Sequence, residues 1–294
     1  MELDRRELKR QAREAMGLTK PRFWVVALIY VAMTTGVNLA VHLVTAMTTD
    51  PVSGFSQAGL FLSVFTILYQ LVIDFGFLLW CLWAVRRLSP GPGALVQGFS
   101  VCGRVLWMNI LIMVRVYILF FFVMMGILLV LRLLFPPLVY LFYSAPLLFV
   151  PAARILLWVM MLRYALAPYL LADRPDDGAS AAVRRSVELM RGWCWELAKL
   201  ELSFLGWAAV NFVLSLLVQL YFLQLGGFFQ LMQASEWMSA LSLLSTVSSS
   251  SMVYAVTALV TLPVTLWLAP YCGVASAGFY DARMKLQRES APPL

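Results

Sequence analysis

The sequence predicts an all-α polytopic membrane bundle of six transmembrane helices, with cytoplasmic N- and C-termini and short amphipathic helices on the cytoplasmic side. Three observations predict it. Of 294 residues 62% are hydrophobic and only 13% charged, with a mean hydropathy of +0.84. Soluble domains carry about 25% charged residues, so this chain cannot cover a water-facing surface. Six apolar stretches are long enough to cross a bilayer, and the basic residues cluster in alternate connecting segments. Disorder, a collagen-like fibre, a disulfide scaffold and a free cytosolic enzyme are excluded.

Residues 1–22 form an N-terminal arm, residues 23–279 a single six-helix domain, and residues 280–294 a cytoplasmic tail. Span one covers 23–47 and starts behind Lys20 and Arg22; at about 25 residues it exceeds a signal-peptide core of roughly 7–15 and is expected to stay as an anchor. Span two covers 60–85 and is closed by Arg86 and Arg87. Span three covers 105–131, span four 152–172 before Asp173-Arg174-Pro175, span five 200–225 before Gly226-Gly227, and span six 252–279. The apolar segment Leu133–Pro151 carries Pro136, Pro137, Pro146 and Pro151, so no full-length helix is expected there. A short re-entrant or interfacial turn and an apolar loop packed on the bundle both fit it. After span five, Phe228–Met238 reads as an extension or interfacial helix and Ser248–Ser251 as a flexible hinge.

Orientation follows from charge. Arg5, Arg6, Lys9, Arg10, Arg13, Lys20 and Arg22 lie in the arm, and Arg86, Arg87 and Arg104 follow span two. Arg174, Arg184, Arg185, Arg191 and Lys199 follow span four, and Arg283, Lys285 and Arg288 lie in the tail. The loops Thr48–Gly59 and Gly226–Ser251 contain no Lys or Arg. Cations are retained on the cytoplasmic side, so both termini are placed there. Cys81, Cys102, Cys194 and Cys272 then sit at the reducing face as free thiols. No C-x-x-C pair occurs and the one histidine, His42, lies at the opposite face, so neither a metal nor a cofactor is expected.

Two segments carry amphipathic patterns. In Met1–Met16, Leu8, Ala12 and Ala15-Met16 recur at helical spacing. The arm is expected to lie along the inner leaflet, where each cation gains about 1 kcal/mol from anionic lipid. A plain topology anchor explains the same charges. The second helix is expected over 179–191, with Asp176 and Asp177 before its start, a stripe of Val183, Val187 and Met190, and Gly192 as terminator. It suits either a protein partner or packing under the bundle.

Charges inside spans call for a partner. Asp74, Arg115 and Arg163 each lie ten or eleven residues from an inner boundary, which places them about 15–17 Å deep at 1.5 Å per residue, one layer near the bilayer centre. Asp74 is expected to pair with Arg115, Arg163 or both. The surplus positive charge suits carbonyls, water or an anionic ligand, while an internal clamp between spans explains the same residues.

Leu166-Ala167-Pro168-Tyr169 in span four recurs as Leu268-Ala269-Pro270-Tyr271 in span six. Both helices are expected to kink, because proline removes a helical hydrogen bond. Ala269, Gly273 and Ala277 form a small-residue row that permits close helix approach. Catalytic signatures are missing: there is no H-E-x-x-H, no phosphate-binding G-x-x-x-x-G-K-[ST], and Gly98–Cys102 lacks the last glycine of a nucleophile elbow. Ser89–Gly93 reads as a turn.

Three stretches resemble a family of bacterial membrane proteins, domain of unknown function 975, found mainly in Firmicutes. The first is Arg6-Glu7-Leu8-Lys9 with Ala12-Arg13. The second runs from Arg163–Tyr169 through Asp173-Arg174-Pro175, Ser186 and Leu189–Gly192 to Leu202–Trp207. The third is Pro270-Tyr271 with Ala277–Tyr280. The resemblance implies a multi-helix inner-membrane protein and brings no activity and no catalytic residue with it.

From the residues, the expected function is non-enzymatic: a membrane protein whose charged centre binds or transports an anionic or amphipathic ligand. The alternative is a scaffold or accessory subunit recruiting a protein partner through its cytoplasmic helices. Lipid is the expected surrounding partner, with anionic lipid at the inner leaflet and no nucleic acid.

Overall fold

The computed structural model describes residues 5–48, 56–88, 91–134 and 146–290, and within them every regular element is helical. In chain order these are α1 (Arg5–Leu18), α2 (Phe23–Thr48), α3 (Gln57–Val85), α4 (Ala94–Gln97), α5 (Cys102–Leu134), α6 (Pro146–Met161), α7 (Ala167–Asp173), α8 (Ala179–Leu189), α9 (Cys194–Leu202), α10 (Leu205–Leu225), α11 (Phe228–Gln233), α12 (Trp237–Ser249) and α13 (Ser251–Ser290). Six helical stretches are long and apolar enough to cross a membrane: Phe23–Thr48, Gln57–Val85, Ala94–Leu134, Ala152–Asp173, Leu205–Leu225 and Ser251–Glu289. The chain is a membrane protein with all six expected spans, their ends shifted. The part of the proline-rich segment over 135–145, and Ser89-Pro90 of the expected turn, lie outside the described residues.

The chain divides into two compact units, Asp4–Phe99 with Glu201–Gly278, and Ser100–Leu200 with the chain from Phe279 onward. In the first, α2 and α3 pair lengthwise. Ser56 starts α3, its hydroxyl accepting the Gly59 N–H at 2.9 Å, which satisfies one of the donors a helix start leaves open. At the other end of α3, two glycines let the backbone come very close. A Cβ at Gly76 would land on the Leu95 carbonyl, and one at Gly98 on the Val72 carbonyl. Further on, α12 returns along α10: Leu223, Val247 and Val253 form a cluster with Phe222, Phe228, Leu243 and Leu244 against it. The expected hinge narrows to Ser250, whose extended backbone separates α12 from α13.

The N-terminal α1 buries Leu8, Ala12, Ala15 and Met16, the stripe read from the sequence. That stripe packs on protein. Leu8 lies 3.7 Å from where a Cβ at Gly278 would sit, and Val85 and Val274 line the same crevice. Lys9 donates to the Ser203 carbonyl at 3.1 Å and lies 4.5 Å above the Phe204 ring. Burial lowers the Lys9 pKa from its ordinary value. With this stripe covered, the exposed surface of α1 is mostly charged, apart from Leu18 at its end.

In the second unit, α6 begins at Pro146, ahead of the expected Ala152, since proline in a first turn gives up no helical hydrogen bond. Span four is then interrupted by a 3₁₀ turn at Leu162–Tyr164 and resumes as α7. Span six is not interrupted: α13 runs through Pro263 and Pro270 to Ser290, absorbing most of the expected tail. Its 40 residues measure about 60 Å at 1.5 Å each, twice a hydrocarbon core of about 30 Å, so part of it stands outside the bilayer.

Candidate functional site

Asp74 sits in the α2–α3 seam, half-buried, and accepts a hydrogen bond from the Tyr30 phenol at 2.8 Å. The sequence reading expects a guanidinium there; the donor found is a tyrosine. Tyr30 is held by its ring, stacked on Phe77 at 4.2 Å, and Phe77 in turn stacks on Trp80 at 5.9 Å. One turn along, Asn38 donates to Gln70 at 3.2 Å and to the Thr34 carbonyl at 2.9 Å, and the Thr34 hydroxyl donates to the Tyr30 carbonyl at 2.9 Å. Polar groups in an apolar helix pair must satisfy one another. These rungs clip α2 to α3 and fix their register. Spacing was the available signal: Tyr30, Thr34 and Asn38 recur every four residues, as do Gln70 and Asp74.

Arg115 lies exposed on α5, and Arg163 lies in the 3₁₀ turn between α6 and α7. The fully buried Ser186 of α8 donates its hydroxyl to the Arg163 carbonyl at 3.0 Å. The Arg163 side chain is exposed and lines a cavity of ≈ 450 Å³ with Val187, Glu188, Arg191, Gly192 and Cys194. Counting residues back from Asp173 assumes an unbroken helix; because span four breaks, Arg163 stands beside α8 and the turn after it. Gly192 has φ +80°, the left-handed conformation that ends the helical turn and lets the chain curve around the cavity. Cys194 donates to the Met190 carbonyl at 3.2 Å. Burial pushes its thiol up, and the Arg163 charge works against that shift.

The buried face of α8 also differs from the expected stripe. Ala179, Ala182, Val183, Ser186 and Leu189 face inward, while Val187 turns to the cavity. A serine at a core position hides from hydrophobic patterning, and the Arg163 carbonyl is what makes its burial tolerable.

Of the proline and tyrosine residues, Tyr169 is buried and stacks on Tyr280 at 5.3 Å, and Tyr280 donates its hydroxyl to Asp173 at 2.8 Å. Tyr271 is buried between Phe204, edge-on at 5.0 Å, and Trp267 at 4.8 Å. Pro168 opens α7 and Pro270 lies within α13. A Cβ on Gly273 would come within 2.6 Å of Cys81 Sγ, so this glycine serves close helix contact. Two of the stretches that carry the family likeness, the second and the third, therefore meet in one place, through Tyr169, Asp173 and Tyr280.

Neither a curated protein nor a solved structure matches the chain. The model of the family described as protein of unknown function (DUF975) matches residues 1–287. With nearly its whole length matched, the chain belongs to the DUF975 family.

Proposed function

We propose that this protein is a non-enzymatic component of a bacterial cytoplasmic membrane, both termini inside, that binds an anionic amphipathic ligand at the Arg163 cavity. One observation carries the reading: Arg163 and Arg191 line one cavity, and among the described residues neither guanidinium has an ion pair. Glu188 offsets only one of the two charges. A carboxylate or phosphate head group would complete the balance through charge-assisted hydrogen bonds, and Val187 offers apolar contact to its tail. Asp74, satisfied by Tyr30, serves as a clamp in this reading and contacts no ligand.

The scaffold alternative is weaker because the apolar faces of both α1 and α8 are already covered by protein. What remains for a partner on these helices is mostly charge.

The test uses the full chain in nanodiscs and decanoate as probe, with empty nanodiscs subtracted. Saturable binding that weakens about tenfold in Arg163→Gln, with Asp74→Asn behaving as wild type, supports the proposal; a charge-assisted hydrogen bond lost is worth about that factor. Identical isotherms for wild type and Arg163→Gln would sink it.

A further inference from the structure

A second cavity, of ≈ 470 Å³, lies on α8 and the last turns of α13, lined by Arg184, Arg185, Arg283, Gln287, Asp177 and Glu188. Its three guanidiniums are not equivalent. Arg283 is fixed in place: its Nε donates to the Leu189 carbonyl at 3.1 Å, and its guanidinium carbon lies 4.7 Å above the Trp193 ring. Such a bond uses one of five N–H donors and leaves the two terminal nitrogens, a paired edge matched to two oxygens of a tetrahedral anion. The aromatic face holds the plane without supplying an acceptor. Arg184 and Arg185 have no ion pair or side-chain hydrogen bond among the described residues. Of the two carboxylates, Asp177 already faces Arg174 at 3.9 Å. That leaves three cations against little more than Glu188.

We infer that this cavity is a phosphate-monoester site in which Arg283 is the prepositioned fork and Arg184 and Arg185 close over the anion. A monoester carries up to two charges and three free oxygens, which three guanidiniums can serve together, whereas a diester offers one charge and two. The site adjoins the Arg163 cavity, with Glu188 lining both, but it is built on different guanidiniums and does not rest on a ligand being bound there. The same head group can come from a membrane, as phosphatidic acid, or from solution, as glycerol 3-phosphate.

The experiment uses the full-length protein in nanodiscs and measures both ligands, the lipid by native mass spectrometry and the soluble ester by calorimetry. The variant is Arg184→Gln with Arg185→Gln, which removes two side chains that have no ion pair or side-chain hydrogen bond among the described residues. Unchanged thermal unfolding verifies that. The expected result is at least a tenfold loss of affinity for whichever monoester binds, with phosphatidylglycerol, a diester, bound more weakly by wild type. Loss in the lipid arm identifies a membrane ligand and loss in the soluble arm a free one. Arg283→Lys, which keeps the charge but not the fork, is expected to weaken binding as well. If neither monoester is bound, or if wild type and the double variant bind both equally, the inference is overturned. Decanoate binding at the Arg163 cavity is read on the same samples, so failure of one site is distinguished from failure of the other.

Discussion

The two copies of Leu-Ala-Pro-Tyr have the same sequence and different structures. In span four the proline follows a 3₁₀ turn and opens a new helix; in span six it lies inside a continuous helix of 40 residues. Proline lacks the N–H that a continuous helix would use in both places, so it cannot by itself decide between break and continuation. The neighbours decide. Beside Pro168, an outside donor, the Ser186 hydroxyl, takes the Arg163 carbonyl and gives the irregular backbone a partner. Ahead of Pro270 the hydroxyl donors come from the helix itself, Thr261 to the Thr257 carbonyl at 2.8 Å and Thr265 to the Thr261 carbonyl at 3.0 Å. Those bonds run along the axis, to carbonyls that also accept the helix's own N–H groups. The tyrosines differ likewise: Tyr169 lies flat on Tyr280, while Tyr271 meets Phe204 edge-on.

The largest test removes the partner of Tyr169. Tyr280→Ala empties a fully buried site and is expected to destabilise by about 3–5 kcal/mol; Tyr280→Phe, which keeps the ring and loses the bond to Asp173, by about 1.5–3 kcal/mol. Denaturant titration of the detergent-solubilised protein measures both. If the two variants melt alike, the stacking has no role in holding span four.

Next comes the close approach one turn beyond Pro270. Gly273→Ala is expected to cost about 1–3 kcal/mol, because its Cβ would meet Cys81 Sγ. Adding Cys81→Ala should restore most of that loss, and a double-mutant cycle showing no coupling would contradict the contact. Gly36→Ala, with open space at its Cβ, is the neutral control.

Ser186→Ala follows, at about 1–2 kcal/mol, since it leaves the Arg163 carbonyl without its donor. Combined with Pro168→Ala it should let span four close into one helix, visible as slowed amide exchange at residues 162–168. Exchange that stays fast would place the cause of the break elsewhere.

The smallest effect is chemical. Because burial raises the Cys194 thiol, its maleimide labelling should rise with pH later than that of an exposed cysteine. Arg163→Gln removes the opposing charge and should delay the rise further. A faster rise in the variant would mean the guanidinium does not act on the thiol.

Legibility tracked locality. Span existence, the stripe of α1 and the glycine after α8 depend on residues within a few turns of one another, and they read directly from composition and spacing. The candidate site was half legible: Asp74 and Arg163 stood out as charges in apolar segments. Their partners, Tyr30 and Ser186, did not, because a tyrosine in one span and a serine in a loop helix look ordinary until folding brings them together. Ser186 lay within a stretch that carries the family likeness, yet hydrophobic patterning gave no reason to bury it.

What the sequence determined by itself was the solvent of the protein. Six apolar stretches and 13% charge cannot be folded in water, because no arrangement of them hides enough hydrocarbon. Only the tertiary structure decided which proline breaks a helix, which polar group answers Asp74, and which arginines face a cavity. Each of those outcomes depends on a donor or a surface supplied from far away in the chain, and a hydrogen bond is won by whichever partner arrives at the right distance.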